Sequence, residues 1–136
     1  MNNWLFNALL MLVMWGLWAF LPKLAVKYID PKSALIYQCI GSVLVGLVML
    51  VMVDFKPQTH PKGMLYGGLT GILGFGGMLV YLITVSKVRV ATVATLTALY
   101  PIVVIVLAYL ILKEPITIKH VFGFGFGLLA ITLLAT

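Results

Sequence analysis

The chain has only three acids, Asp30, Asp54 and Glu114. A carboxylate deep in a membrane helix marks a proton relay. Here all three fall at the ends of apolar runs. His60 and His120 stand apart without ligand neighbours, and Cys39 is the single cysteine. There is no Ser/His/Asp set, no paired carboxylates and no phosphate loop. The expectation is therefore a chain without enzymatic chemistry, metal or cofactor. What remains is the chemistry of recognition: rings, hydroxyls and one amine set among apolar residues.

Those groups fall into sets. Trp15 and Trp18 are three apart, on one helical face with Asn7 and Met11. Trp15 lies roughly 16 Å beyond Trp4 along a helix, far from the interface where Trp usually sits, so an aromatic cavity wall competes with plain helix packing. Thr92, Thr95 and Thr97 precede Tyr100 and Pro101, the densest polar cluster in any apolar run. Pro101 removes a backbone hydrogen bond and frees the carbonyl of Thr97, which makes it a candidate kink or gate. Lys23, just past Pro22, either snorkels to the interface or meets an anionic group on a substrate. Gly63, Gly67 and Gly71 recur every fourth residue, and Gly67, Gly71, Gly74, Met78 and Tyr81 follow one stripe that carries Tyr81 to whatever the glycines face. Gly123 and Gly127 repeat the spacing, as small residues do where backbones approach closely. The substrate-contact candidates are thus Trp15, Trp18, Lys23, Tyr81, Thr95 and Tyr100. The helix-packing candidates are Gly63, Gly67, Gly71, Gly123 and Gly127.

The elements that hold these residues follow from composition. Of 136 residues, 63% are hydrophobic and 9% charged, against about 25% charged in a soluble domain. That excludes a soluble enzyme, a disulfide module and a disordered tail. With about 20 residues per crossing, the chain divides into five spans, about 4–21, 33–53, 63–85, 91–112 and 119–135, in one all-α membrane domain over 1–136. The Asp30-Pro31 pair reads as a turn and helix start, and residues 54–62 as the clearest loop. Met1-Asn2-Asn3 carries no basic residue, so span one reads as an uncleaved first helix. The alternation Gly123-Phe124-Gly125-Phe126-Gly127 looks strand-like, but an open strand edge cannot sit in lipid, so it is assigned to a helix.

Five spans put the termini on opposite sides. Lys56, Lys62, Lys113 and Lys119 then share the N-terminal side, and Lys23, Lys27, Lys32, Lys87 and Arg89 the other. Four cations against five give almost no orientation bias, which suits insertion either way up.

At span four the residues take on a family likeness. Thr97-Ala98-Leu99-Tyr100-Pro101-Ile102-Val103, followed by Leu110-Ile111-Leu112-Lys113-Glu114-Pro115-Ile116-Thr117, resembles the end of an EamA-type domain of the drug/metabolite transporter superfamily. Met14-Trp15-Gly16 is similar to that family's start, and Gly123 falls at the glycine of its last helix. The resemblance covers essentially the whole chain. It differs at Lys113, where the family more often has glycine before the glutamate. Most members carry two such domains in tandem; this chain carries one. The related small multidrug resistance proteins use a first-helix carboxylate that span one lacks.

The resemblance implies a half-size carrier of small organic metabolites, amino acids or drugs in the inner membrane, working by alternating access with helices one, three and four around the substrate. The expected partners are the bilayer, the substrate, and a second copy in an antiparallel homodimer or a second half-size chain in a heterodimer. Nucleic acid is not among them. The readings that compete are a non-transporting accessory or scaffold subunit and a flippase-type carrier of lipid-linked groups.

Overall fold

The computed structural model describes residues 4–134; the leader 1–3 and residue 135, the expected end of span five, lie outside them. The described residues form α1 (Trp4–Ala25), α2 (Pro31–Met52), α3 (Pro61–Lys87), α4 (Val90–Thr97), α5 (Tyr100–Leu107), a π-helical turn (Ala108–Leu112) and α6 (Ile118–Leu134). This is the all-α membrane bundle expected from composition. Among the described residues, four stretches are long and apolar enough to cross a membrane: α1, α2, α3 and Val90–Leu112. With 17 residues, α6 is shorter. At about 26 Å it is near the lower limit for a hydrocarbon core of about 30 Å. The Gly-Phe alternation is helical, inside α6.

The chain divides between Lys87 and Val88 into two compact units. In the first, α3 packs against both α1 and α2. The contact is concentrated at one end, where Ala34, Met78 and Leu82 are buried and Ala25, Val26, Leu35 and Tyr81 pack around them. This end gathers the C-terminus of α1, the N-terminus of α2 and the C-terminus of α3. Elsewhere large side chains such as Leu12, Val45 and Ile72 face outward, as lipid-facing residues do where the solvent is hydrocarbon.

Local chemistry sets the helix ends. Pro22 lies in the last turn of α1 and takes away the N–H that would bond the Trp18 carbonyl. The chain then leaves through tightened turns, with the Lys27 N–H on the Leu24 carbonyl and the Tyr28 N–H on the Ala25 carbonyl. Asp30 caps α2: its carboxylate accepts from the Lys32 N–H at 2.9 Å, the Ser33 N–H at 3.1 Å and the Ser33 hydroxyl, with Pro31 in the first turn. At its other end α2 stops in two left-handed residues, Asp54 and Phe55, and the Phe55 N–H reaches back to the Leu50 carbonyl at 2.9 Å, satisfying one of the last orphan carbonyls.

The Ser33 hydroxyl, helped by the Ser33 N–H, holds the Asp30 carboxyl below its ordinary value of 3.8. A depressed folded pKa means the cap contributes fully above the ordinary carboxylate range and less as pH falls through the depressed value. Asp30→Ala is expected to lower the melting temperature at neutral pH, with the gap to wild type closing in acid. A gap that acid leaves unchanged would show that the charge takes no part.

In the second unit α4 packs against α6, and Val93 is the buried residue of α4. Here the structure gives the backbone path at Pro101, the candidate kink of span four. The α-helix ends at Thr97, passes through Ala98 and Leu99, and restarts at Tyr100 with Pro101 in the first turn of α5. At that position the missing N–H has no intrahelical partner to lose and the fixed φ suits a helix start. The Ala98 N–H bonds both the Ala94 and Thr95 carbonyls, and the Leu99 N–H bonds Leu96. The π-helical turn after α5 ends at Lys113, which adopts the left-handed conformation at φ 59° and donates its N–H to the Ala108 carbonyl.

Candidate functional site

In the first unit α1, α2 and α3 border an open cavity of about 260 Å³. From α1 come Trp18, Leu21, Pro22 and Ala25; from α2, Ala34, Tyr37 and Gln38; from α3, Met78 and Leu82. No lining residue carries a formal charge. Recognition here would rest on two rings and one amide, the pattern of a mostly apolar ligand pocket with a few polar groups fixing orientation.

Trp18 is the substrate candidate that reaches this cavity. Trp15, one turn earlier on the same helical face, is more than half exposed and is not part of the lining. Tyr37 and Gln38 were not singled out from the sequence. The signal available was a phenol and an amide side by side within an otherwise apolar run, and the family likeness drew attention to helices one, three and four instead. Within this unit α2 supplies part of the wall.

Tyr81 and Lys23 join α1 to α3. The Tyr81 hydroxyl donates to the Ala19 carbonyl at 2.8 Å, and the Lys23 amine donates to the Val85 carbonyl at 2.6 Å. Both bonds span 62 residues of sequence. A constant offset between contacting pairs requires the two helices to run in parallel, since antiparallel helices would keep a constant sum. Val85 is fully buried and lies in the last turn of α3, where carbonyls have no intrahelical donor. The Lys23 amine therefore acts as a C-cap supplied by another helix, and a cation at that position is favoured by the helix dipole. The stripe ending at Tyr81 thus points its phenol at the backbone of α1.

In the second unit the hydroxyls of the threonine cluster turn back onto their own helix. Thr95 donates to the Ala91 carbonyl at 2.8 Å, and Thr97 to the Val93 and Ala94 carbonyls at 3.0 Å. Such back-bonding satisfies a hydroxyl without a partner helix or water. Tyr100 is more than half exposed, at the start of α5.

The glycine faces are open within the chain. A Cβ placed at Gly67, Gly71, Gly123 or Gly127 would meet no atom within 4 Å, and at Gly63 only the His60 Cβ at 3.9 Å. Among the described residues no three His, Cys, Asp or Glu side chains gather as a metal-binding group.

Comparison with known proteins adds a broad match and a local one. The profile of the EamA-like transporter family matches residues 2–136. A stretch of 68 residues is 38% identical to Protein LicB of Haemophilus influenzae (strain ATCC 51907 / DSM 11121 / KW20 / Rd), covering 49% of this chain and 23% of LicB. The chain thus matches about a quarter of that relative's length. No solved structure matches.

Proposed function

This chain belongs to the EamA-like transporter family, and on that premise we propose that it carries small organic metabolites, amino acids or drugs across the inner membrane by alternating access, two half-size chains forming the working unit. The family match over residues 2–136 is the observation that carries this reading. The cavity of the first unit supports it with a substrate-sized space and uncharged polar handles. Substrate contact starts at Trp18 with Tyr37 and Gln38, and Trp15 extends the aromatic face outward. Lys23 and Tyr81 act as positioning groups that set the α1–α3 side of the cavity, and Thr95 and Tyr100 are separate candidates within the second unit. Membrane helices of this apolarity, in a chain of a transporter family, make it a multi-pass membrane protein.

The test is uptake into vesicles containing the purified chain, screened against pools of neutral and zwitterionic metabolites. Trp18→Ala is expected to reduce transport of the responding compound at least tenfold while the amount of folded protein is unchanged. A hundred ångström squared or more of ring surface is lost at the cavity wall, without disturbing the buried residues of the bundle. Transport unaffected by Trp18→Ala would remove this cavity from the substrate path. Vesicles that transport nothing in any pool would favour a scaffold subunit.

A further inference from the structure

The packed end of the first unit is strongly basic. Lys27 lies in the connection after α1, Lys32 in the first turn of α2 and Lys87 at the end of α3, and all three are exposed. The carboxylate at this end, Asp30, already accepts three hydrogen bonds as the cap of α2. Lys32 also heads an apolar groove. Three and four residues further on, on the same helical face, come Leu35 and Ile36, and the groove continues past Cys39 and Ile40 to Val43 and Leu44. It is an open groove of about 360 Å³ lined by α2 alone, and at 1.5 Å per residue it runs about 14 Å down the helix. It is separate from the cavity assigned to substrate, which lies where α1, α2 and α3 meet.

We propose that this end of the first unit binds an anionic phospholipid, its phosphate among Lys27, Lys32 and Lys87 and one acyl chain in the α2 groove. A bare apolar face would take any lipid or a second copy of the chain. The cations at its head select an anionic lipid, because basic side chains at the membrane surface attract anionic headgroups. The order of the parts, charge first and then a dry groove along the helix, is the order of the parts of a phospholipid. The inference stands apart from the transport reading and holds whether or not the substrate is found.

Cys39, the single cysteine of the chain, lies within the groove and reports on its occupancy without added mutations. The experiment measures the rate of maleimide labelling of Cys39 in the purified full chain in neutral detergent, titrated with phosphatidylglycerol or phosphatidylcholine of the same acyl composition. Phosphatidylglycerol is expected to protect Cys39 at roughly tenfold lower concentration than phosphatidylcholine, and added salt should erode the difference as exposed charges are screened. Replacing the three lysines, Lys27→Gln, Lys32→Gln and Lys87→Gln together, should make the two lipids equivalent. Soluble glycerol phosphate should protect nothing, since the acyl chain is the part that covers Cys39. Equal protection by both lipids in the wild-type chain, or a preference indifferent to salt, would overturn the proposal without any variant having to fold. Cys39–Cys39 crosslinking that phosphatidylglycerol does not suppress would assign the groove to a second copy.

Discussion

Two additional lysines in the 54–62 loop are expected to convert a mixed population of insertions into a single one, and to abolish transport by the chain expressed alone. The expectation rests on the distribution of charge that five alternating spans would give: Lys56, Lys62, Lys113 and Lys119 on one side, Lys23, Lys27, Lys32, Lys87 and Arg89 on the other. Cations retained on the cytoplasmic side orient a membrane protein, and four against five retains neither side. Six against five, with the new pair concentrated in one short loop, favours that loop on the cytoplasmic side. Carriers of this kind commonly bind substrate between repeats of inverted topology. Under the proposed pairing, this repeat would obtain that arrangement from a copy inserted the other way up. The open glycine faces at Gly67, Gly71, Gly123 and Gly127 leave room for close approach by a second chain. Co-expression with a variant biased in the opposite sense should restore transport. The measurement is a reporter fused at the C-terminus and read on both sides of the membrane, alongside uptake. A wild-type C-terminus found wholly on one side would falsify the antiparallel pair and favour a parallel dimer or a heterodimer.

Leu82→Ala is expected to cost about 2–5 kcal/mol of stability, the range for removing a buried leucine from a packed site. Leu82 is 1% exposed and sits where α1, α2 and α3 converge, with Met78 and Ala34 beside it. In lipid the loss falls on van der Waals packing, because hydrocarbon offers no hydrophobic drive between helices. So much of the first unit's contact is concentrated at this end that few other contacts can compensate. Leu73 on the same helix is 74% exposed, and Leu73→Ala should change stability by less than about 0.5 kcal/mol. Thermal unfolding of both variants in one detergent checks the contrast. Equal effects at the two positions would mean that α3 is held by something other than this cluster. Leu82 also lines the 260 Å³ cavity, so the variant should in addition admit bulkier compounds.

Much of this architecture could be read from hydropathy and turn chemistry alone. The apolar runs became helices, Asp30-Pro31 opened α2, and the Gly-Phe alternation resolved as helix because lipid forbids an unpaired strand edge. What sequence could not supply was which face of each helix is inside. In water the polar face announces the outside; in a membrane both the lipid and the neighbouring helix are apolar, so Tyr37 and Gln38 on α2 carried no positional signal. Pro101 shows a second limit. Its effect on backbone bonding was clear, but the interruption at Ala98 and Leu99 was not, because both are strong helix formers and their types mark no break. Lys23 shows a third: its partner is a backbone carbonyl 62 residues away, and no side-chain pattern marks a carbonyl.

Lys113 stands in a conformation that costs a side-chain-bearing residue about 1–2 kcal/mol and costs glycine little. Yet on the five-span reading Lys113 is one of four cations on its side. Comfort of the backbone and balance of orientation therefore pull against each other at a single residue. Lys113→Gly would relax the turn after the π-helical segment and at the same time leave three cations facing five. Under the proposed antiparallel pairing, a change that makes each molecule easier to fold would thereby make the population less evenly divided between two orientations, and the pair would lose partners as each copy gained stability.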